Sequence, residues 1–366
     1  MQDGDVMNLL KFFRKRSFDN PWIKNSKRYR LENAGQDVNY ETALLCPPYT
    51  SSINLISTSI AKLSKHVFID NKRIEGHSIE KLLKYPNPFM DGYTLIQQAE
   101  KKRLNEGNAY ILIDRDNQGY AKNLWLTNTD VRLEKDGFYK MNINGSLQVI
   151  HPNDIIHIKT NHMYLDNFKG IGYSTILRRQ IGLWLAAQSY QSTYFANGTK
   201  PNGIITLNTE LNEEMRNKVR DAWEENHKGE NQNKVAVMPK GMDFKETSFS
   251  TFNDLQMKDT FNELTKQIAS VFNLSPYMIG HDGTSNTYSN IESQNINFLQ
   301  QALMPSIISW EQQLIKLFPS SDNFSIKFNY ESLLRADSLS RANRLKTLVD
   351  SEIMTKEEAR SLEGLN

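Results

Sequence analysis

Between Lys266 and Lys316 the chain carries no lysine or arginine, although 44 of its 366 residues are basic. At that average density about six cations would stand in the gap. An absence of that size needs a reason. At its centre lies Leu274–Asn290, LSPYMIGHDGTSNTYSN, a polar stretch holding two glycines, Gly280 and Gly283. Such a stretch neither builds a core nor continues a helix. Its flanks are different. Met257, Phe261, Leu264, Ile268 and Val271 recur at steps of four and three, and Ile296, Leu299, Leu303, Ile307, Trp310, Leu314 and Leu317 do nearly the same. Both spacings predict helices with one apolar face. The fold therefore has to place two long helices around a polar loop without lysine or arginine.

The rest of the chain is long enough for two or three compact units. Hydrophobic residues make up 39% and charged residues 23%, an ordinary balance for a soluble protein, and no apolar run is of spanning length. Cys46 is the single cysteine, which excludes an internal disulfide and zinc-finger spacing. A net charge of +2 does not mark a strongly basic nucleic-acid binder. Local basic charge does occur at Lys11, Arg14, Lys15, Arg16, Lys24, Lys27, Arg28 and Arg30, and residues 1–44 read as a basic, partly disordered arm.

After that arm, residues 46–63 read as a helix entered through Pro47 and Pro48, and Val67–Ile69 as a short strand. A brief amphipathic piece at Ile79–Leu83 is closed by Tyr85-Pro86-Asn87-Pro88, and Tyr93–Leu104 is a further helix ended by Glu106-Gly107-Asn108. Strand signals at 109–114, 124–126, 131–133 and 138–141 with short turns between them predict a mainly antiparallel sheet, hence an α+β unit. Residues 176–195 form a helix apolar around most of its circumference, to be buried among other helices or subunits, and Asn197-Gly198 followed by Pro201 stops it. Residues 199–250 read as a small β-α-β-β unit: strands at 203–207, 234–238 and 242–247, and a helix capped by Asn212 with Met215, Val219 and Trp223 inward. Ser289-Asn290-Ile291-Glu292 is a capping box, Pro305 should kink the helix that follows, and strand 324–330 needs a partner from the N-terminal sheet. A helical pair finishes the chain.

Chemistry-bearing motifs are sparse. His151, His157 and His162 have no carboxylate partner at ligand spacing, so no metal site is expected. Gly280-His281-Asp282-Gly283-Thr284-Ser285 lacks the lysine of a phosphate loop, and neither a nucleophile elbow nor a carboxylate cluster occurs. No cofactor and no enzymatic activity are expected.

Several short motifs do occur in one characteristic order. They are Pro86-Asn87-Pro88-Phe89-Met90; Gly107-Asn108-Ala109-Tyr110 with Asp114-Arg115-Asp116 and Gly119; His157-Ile158-Lys159 leading to Gly170-Ile171-Gly172-Tyr173-Ser174; Tyr194-Phe195-Ala196-Asn197-Gly198 with Pro201; Tyr288-Ser289-Asn290 with Glu292; Met304-Pro305; and Leu334-Arg335-Ala336-Asp337. In this order, over roughly residues 45–365, the chain resembles the portal (head-to-tail connector) proteins of tailed bacteriophages, in the branch typical of long-tailed siphophages. One departure is Asn273-Leu274-Ser275, where that family usually carries Gly-Val-Pro.

The resemblance implies a portal-type fold and a ring, generally of twelve subunits, at one capsid vertex, through which double-stranded DNA is packaged and ejected. By that likeness residues 45–173 with strand 324–330 correspond to the wing, 174–198 and 251–279 to stem helices and 199–250 to the clip. Residues 280–290 correspond to the tunnel loop, 291–323 to a long kinked helix and 331–366 to a helical crown. The loop residues His281, Asp282, Thr284, Ser285, Asn286, Thr287 and Tyr288 would meet DNA. In the clip, Glu213, Glu214, Arg216, Arg220, Lys228 and Lys240 would dock first the terminase large subunit and then a head-tail adaptor. A major capsid or scaffolding protein is a further implied partner, and no membrane is. Symmetry explains the missing cations: one lysine per subunit in the bore becomes a ring of charge that grips phosphate where DNA must slide. The competing readings are a DNA-processing enzyme, such as a nuclease or recombinase subunit holding substrate on arm 11–30, and a capsid scaffold without a channel.

Overall fold

A computed structural model describes residues 33–128, 131–134, 136–143, 145–164, 168–196, 203–207, 212–215, 217–218, 221, 242–246, 257–281, 294–319, 323–330 and 345–362. These residues fall into two compact units. One takes in 179–264 together with the chain up to Val38, and the other 39–178 with 265–366.

The larger unit begins with helix α1, Pro47–Ala61, entered through two prolines whose missing N–H groups fall where a helix has no intrahelical partner to offer. Its inner face is Tyr49, Ile53, Ile56 and Ile60, all buried. Strands β1 (Ser64–Ile69) and β2 (Lys72–Ile74) form a hairpin through Asp70 and Asn71, both at positive φ. Helix α2, Ser78–Lys84, follows. Helix α3, Gly92–Glu106, starts on Asp91, whose carboxylate accepts from Thr94 N, and ends on Gly107 in the left-handed region.

Next come β3 (Asn108–Arg115) and β4 (Ala121–Leu126), then β5 (Val131–Leu133), β6 (Tyr139–Ile143), β7 (Ser146–Ile150) and β8 (Ile155–Lys159). They make two antiparallel sheets, ordered β4-β3-β8 and β5-β6-β7. Tyr110, Val131, Tyr139, Met141 and Ile155 form one buried cluster shared by the two sheets. The turn α4, Tyr173–Ile176, closes this stretch.

The smaller unit holds most of helix α5, Arg178–Ala196, and the antiparallel pair β9 (Gly203–Leu207) and β10 (Met242–Glu246). Its residues also include the start of helix α6, Met257–Val271, where Trp184 meets Phe261 edge to face at 5.3 Å.

Back in the larger unit, residues 294–314 are continuously helical: one α turn, a π stretch at Phe298–Leu303, then α7, Met304–Leu314. Helix α7 packs against β8 and against strand β11, Phe324–Asn329. As its isolation in sequence required, β11 finds its partner far upstream. It pairs with β1 in full register from Ser64↔Asn329 to Ile69↔Phe324. Helix α8, Lys356–Leu362, ends the described chain.

Two strands, β2 and β7, were not legible from alternation alone. The helix expected over 176–195 is split at Leu177 into α4 and α5, and the helix expected from 252 is described from Met257.

Candidate functional site

The end of α6 is built by a left-handed residue. Asn273 has φ 56°, its N–H reaches Ser270 O at 3.0 Å, and Leu274 N reaches Ala269 O at 2.9 Å. This is a Schellman cap with asparagine in the place most often held by glycine. Leu274 and Ala269, the residues joined by this bond, are both buried. Asparagine can hold this left-handed position because it tolerates positive φ better than any other residue with a side chain. Phe272 stacks on Tyr173 at 4.5 Å and meets Tyr49 at 5.7 Å. A single 3-10 turn, Pro276–Ile279, then stops on Gly280 at φ 83°.

Across from this cap runs the helix with Pro305. Lacking an N–H, Pro305 leaves the carbonyl of Gln301 without its usual intrahelical donor. The side chain of Asn273 approaches that carbonyl, Nδ2 to Gln301 O 3.5 Å. The irregularity expected at the proline takes the form of the π stretch ahead of it, a wider winding that recurs at functional positions in helices.

Below Pro305 the helix is anchored by charge. Glu100 Oε1 and Oε2 accept from Arg103 Nη2 and Nε at 2.5 and 2.8 Å, Arg103 Nη2 also donates to Ser306 Oγ at 2.6 Å, and Trp310 Nε1 donates to Glu100 Oε2 at 3.0 Å. Glu100 is 0% exposed, Arg103 3% and Trp310 1%. Removing one member would strand a buried charge, a change that costs on the order of 3–5 kcal/mol. The outer side of the same helix carries Ile296, Asn297, Gln300, Gln301, Ile308 and Gln312. It is thus exposed, amide-rich and uncharged.

Of the loop residues expected to face DNA, His281 is described and half-buried, its N–H donating to Pro276 O at 3.2 Å. Asp282, Thr284, Ser285, Asn286, Thr287 and Tyr288, and the capping box after them, lie outside the described residues. In the small unit Glu213 and Glu214 are exposed, Asn212 Oδ1 accepts from Met215 N at 2.9 Å, and Glu214 pairs with Lys218 at 2.8 Å. Met215, expected inward, is 55% exposed. It stands in the first turn, where a side chain leans back past the helix start rather than over its own turn. Arg216, Arg220, Lys228, Lys240, Val219, Trp223 and strand 234–238 lie outside the described residues.

The motif residues of the larger unit meet each other. A Cβ at Gly107 would collide with the Gly170 carbonyl, and one at Gly172 with the Asn105 carbonyl. Asn108 bridges both strands of chain: Nδ2 donates to Gly170 O at 3.0 Å, and Oδ1 accepts from Gly170 N at 2.8 Å. Asn108 Oδ1 also lies 3.0 Å from His157 Nε2, while Tyr139 Oη lies 3.3 Å from His157 Nδ1. Burial, with Lys159, Lys316 and Lys169 near, lowers the His157 pKa to about 3. His157 is a neutral core histidine stacked on Tyr110 at 4.3 Å. No cluster of three metal-ligating residues occurs among the described residues. Arg115 likewise serves structure. It lines a cleft of about 440 Å³ and donates to Asp154 Oδ1 at 2.7 Å and to the carbonyls of Gly119, Asn153 and Lys316 at 2.8–3.0 Å.

Fold and site define an α+β subunit in which the most distinctive residues hold backbone to backbone. The chain belongs to the phage portal protein family, whose model matches residues 47–364. It is 27% identical to the portal protein of Enterobacteria phage HK97 over 344 residues, 90% of this chain and 80% of that one. It is 26% identical to a probable portal protein of Streptomyces phage phiC31 over 359 residues, 91% and 77% of the two chains. Among solved structures, a chain in the neck of a native gene transfer agent particle, computed with C12 symmetry, matches with a TM-score of 0.61 at 20% identity, covering 94% of this chain and 95% of that one. The crystal structure of an HK97-family portal protein from Corynebacterium diphtheriae matches with a TM-score of 0.61 at 16% identity, covering 82% and 99%. These last two likenesses establish the shared fold.

Proposed function

We propose that this chain assembles into a ring, of twelve copies, at the portal vertex of a phage capsid, and that double-stranded DNA passes through the bore during packaging and ejection. The observation that carries the reading is the family match along residues 47–364. The likeness to a neck chain solved with C12 symmetry supports the subunit number. Apolar surface supports self-assembly: on α5, Leu183 is 45% and Tyr190 51% exposed. Exposed apolar side chains of this size on one helix are what a partner subunit can cover.

The charge gap fits the bore. The described outer side of 294–314 bears amides and two isoleucines, and residues 280–290 add Ser, Thr, Asn, Gly and Tyr288, with Asp282 inside this stretch and Glu292 just after it as the charges. Amide and hydroxyl groups exchange bonds with water readily and release no counterions on touching phosphate, so they let DNA slide. In this reading His281, Asp282, Thr284, Ser285, Asn286, Thr287 and Tyr288 line the passage. The unit at 199–250 docks the terminase large subunit and then the adaptor through Glu213, Glu214, Arg216, Arg220, Lys228 and Lys240. The wing, 45–173 with 324–330, faces the capsid protein. The chain has no catalytic part in this scheme, and the motor belongs to the terminase.

Negative-stain imaging with mass photometry of the purified chain tests the reading. The expected result is a single ring of about 500 kDa, twelve times the 42.3 kDa chain, with an open centre. A monomer at all concentrations, or DNA degradation that requires magnesium or manganese, would overturn it.

A further inference from the structure

The cleft of about 440 Å³ lies where the β3–β4 hairpin and the turn Pro152–Asp154 meet the end of α7 and the residues after it. That is room for a few residues of peptide, within the range of volumes that hold ligands. Its donors are not equally available. Arg115 is largely spent on Asp154 and on the carbonyls of Gly119, Asn153 and Lys316. Lys316 is not. Its Nζ donates to Ile155 O at 2.9 Å, and an ammonium carries two protons more. Lys316 is half-buried, and burial, with Lys159 near, pushes its pKa down. Neither lysine pairs with a carboxylate among the described residues, and Asp154, the carboxylate that lines the cleft, is held by Arg115 at 2.7 Å.

Closing the edge of β8 does not require this charge. Gln313 does the same work with a neutral amide, its Oε1 accepting from His157 N at 3.4 Å. A half-buried cation beside a second cation is costly unless an anion meets it. Shape and charge narrow what that anion is. Duplex DNA cannot lay its backbone in a recess of this size, and Arg115, the residue suited to clamp a phosphate, has no free fork to offer. One ammonium, with the amide of exposed Gln312 in the same cleft, suits a single carboxylate. Ile315, Phe318 and Pro319 add an apolar wall for the chain that carries it, and Phe318 is fixed by stacking on Phe324 at 4.3 Å. We propose that this cleft binds an acidic peptide segment of a partner protein, with one of its carboxylates on Lys316. That the partner is the capsid or scaffolding protein rests on the reading of the wing above, whereas the binding itself does not.

Fluorescence anisotropy on the purified chain at low salt tests this with a labelled octapeptide of alternating glutamate and alanine, and with its glutamine counterpart as control. Lys316→Gln keeps a donor for Ile155 O and removes the charge. It should weaken the glutamate peptide by about tenfold, the scale of one hydrogen bond to a charged group. Gln312→Glu, at an exposed position, adds repulsion without touching the core and should weaken it by about threefold at an unchanged melting temperature. Identical titrations for the original chain and both variants would put the binding elsewhere, on basic residues 11–30 for example, and overturn the inference. Equal affinity for the glutamine peptide would do the same. Displacement of the peptide by free glutarate at equal concentration would overturn the assignment to a polypeptide. Binding of a short duplex that Lys316→Gln weakens as much would overturn the choice of carboxylate over phosphate. A chain that binds the peptide as expected but forms no ring removes the ring reading and leaves this inference standing.

Discussion

His157 shows how a residue with catalytic associations becomes part of a frame. Its ring lies between Tyr110, Tyr139 and Asn108, and burial holds its pKa at about 3, against 6.5 for a free imidazole. The sign of the consequence is fixed by linkage. Below pH 6.5 the unfolded chain binds a proton that the folded chain refuses, so the stability tied to neutral His157 is complete above that pH. It is lost as pH falls toward 3, at up to about 1.4 kcal/mol per pH unit. His157→Gln keeps an amide for Asn108 and Tyr139 and removes the titration. Urea unfolding at pH 7 and at pH 4.5 should show the variant losing less stability on acidification than the original chain. Parallel losses would mean that His157 is not the acid-sensitive group.

At the scale of elements, the helices that flank the cation-free loop are set by Asn273 at one end and by the Glu100–Arg103 pair at the other. Asn273→Ala removes both the tolerance of positive φ and the approach to Gln301 O, and should cost about 1–2 kcal/mol, read as a drop in melting temperature. Asn273→Gly separates the two effects: it should fall between the two, and a glycine variant at least as stable as the original would show that the side-chain contact contributes nothing. Helix spacing, caps and the hairpins β3–β4 and β5–β6 were legible in sequence, because each depends on residues within a few positions. The buried ion pair was not. Glu100 and Arg103 stand three apart, the usual spacing of a solvated pair on a helix surface. Only the arrival of Trp310 and Ser306 from two hundred residues away buries them. Nor was the π stretch visible, since Leu299 and Leu303 keep an ordinary four-residue step. Strand β7 was passed over for a different reason. Its outward Leu147 and Val149 reverse the inside–outside alternation by which a half-buried strand is recognised.

For the molecule as a whole, the missing cations make a prediction that a single chain cannot express. Replacing Thr284 and Asn286 with lysine adds two charges per subunit, hence 24 in a twelve-membered ring, each able to bind phosphate with release of a counterion. The double variant should assemble normally, yet package less DNA per capsid, with the deficit shrinking as salt is raised during a packaging assay. Normal packaging would argue that the loop stands away from the DNA. The resemblance legible in the ordered motifs is what turns a charge gap into such a statement. The motifs themselves, Gly107-Asn108, His157 and Gly170-Ile171-Gly172, hold the frame and do not touch the passage in this reading.

The contact between those two glycine segments has a consequence for heredity. Because backbone meets backbone there, Gly107 pressed on the Gly170 carbonyl and Gly172 on that of Asn105, no shortening of a side chain on the facing segment makes room. A larger residue at one of these positions therefore has no second-site suppressor at the other. Revertants of such an allele should restore the glycine itself.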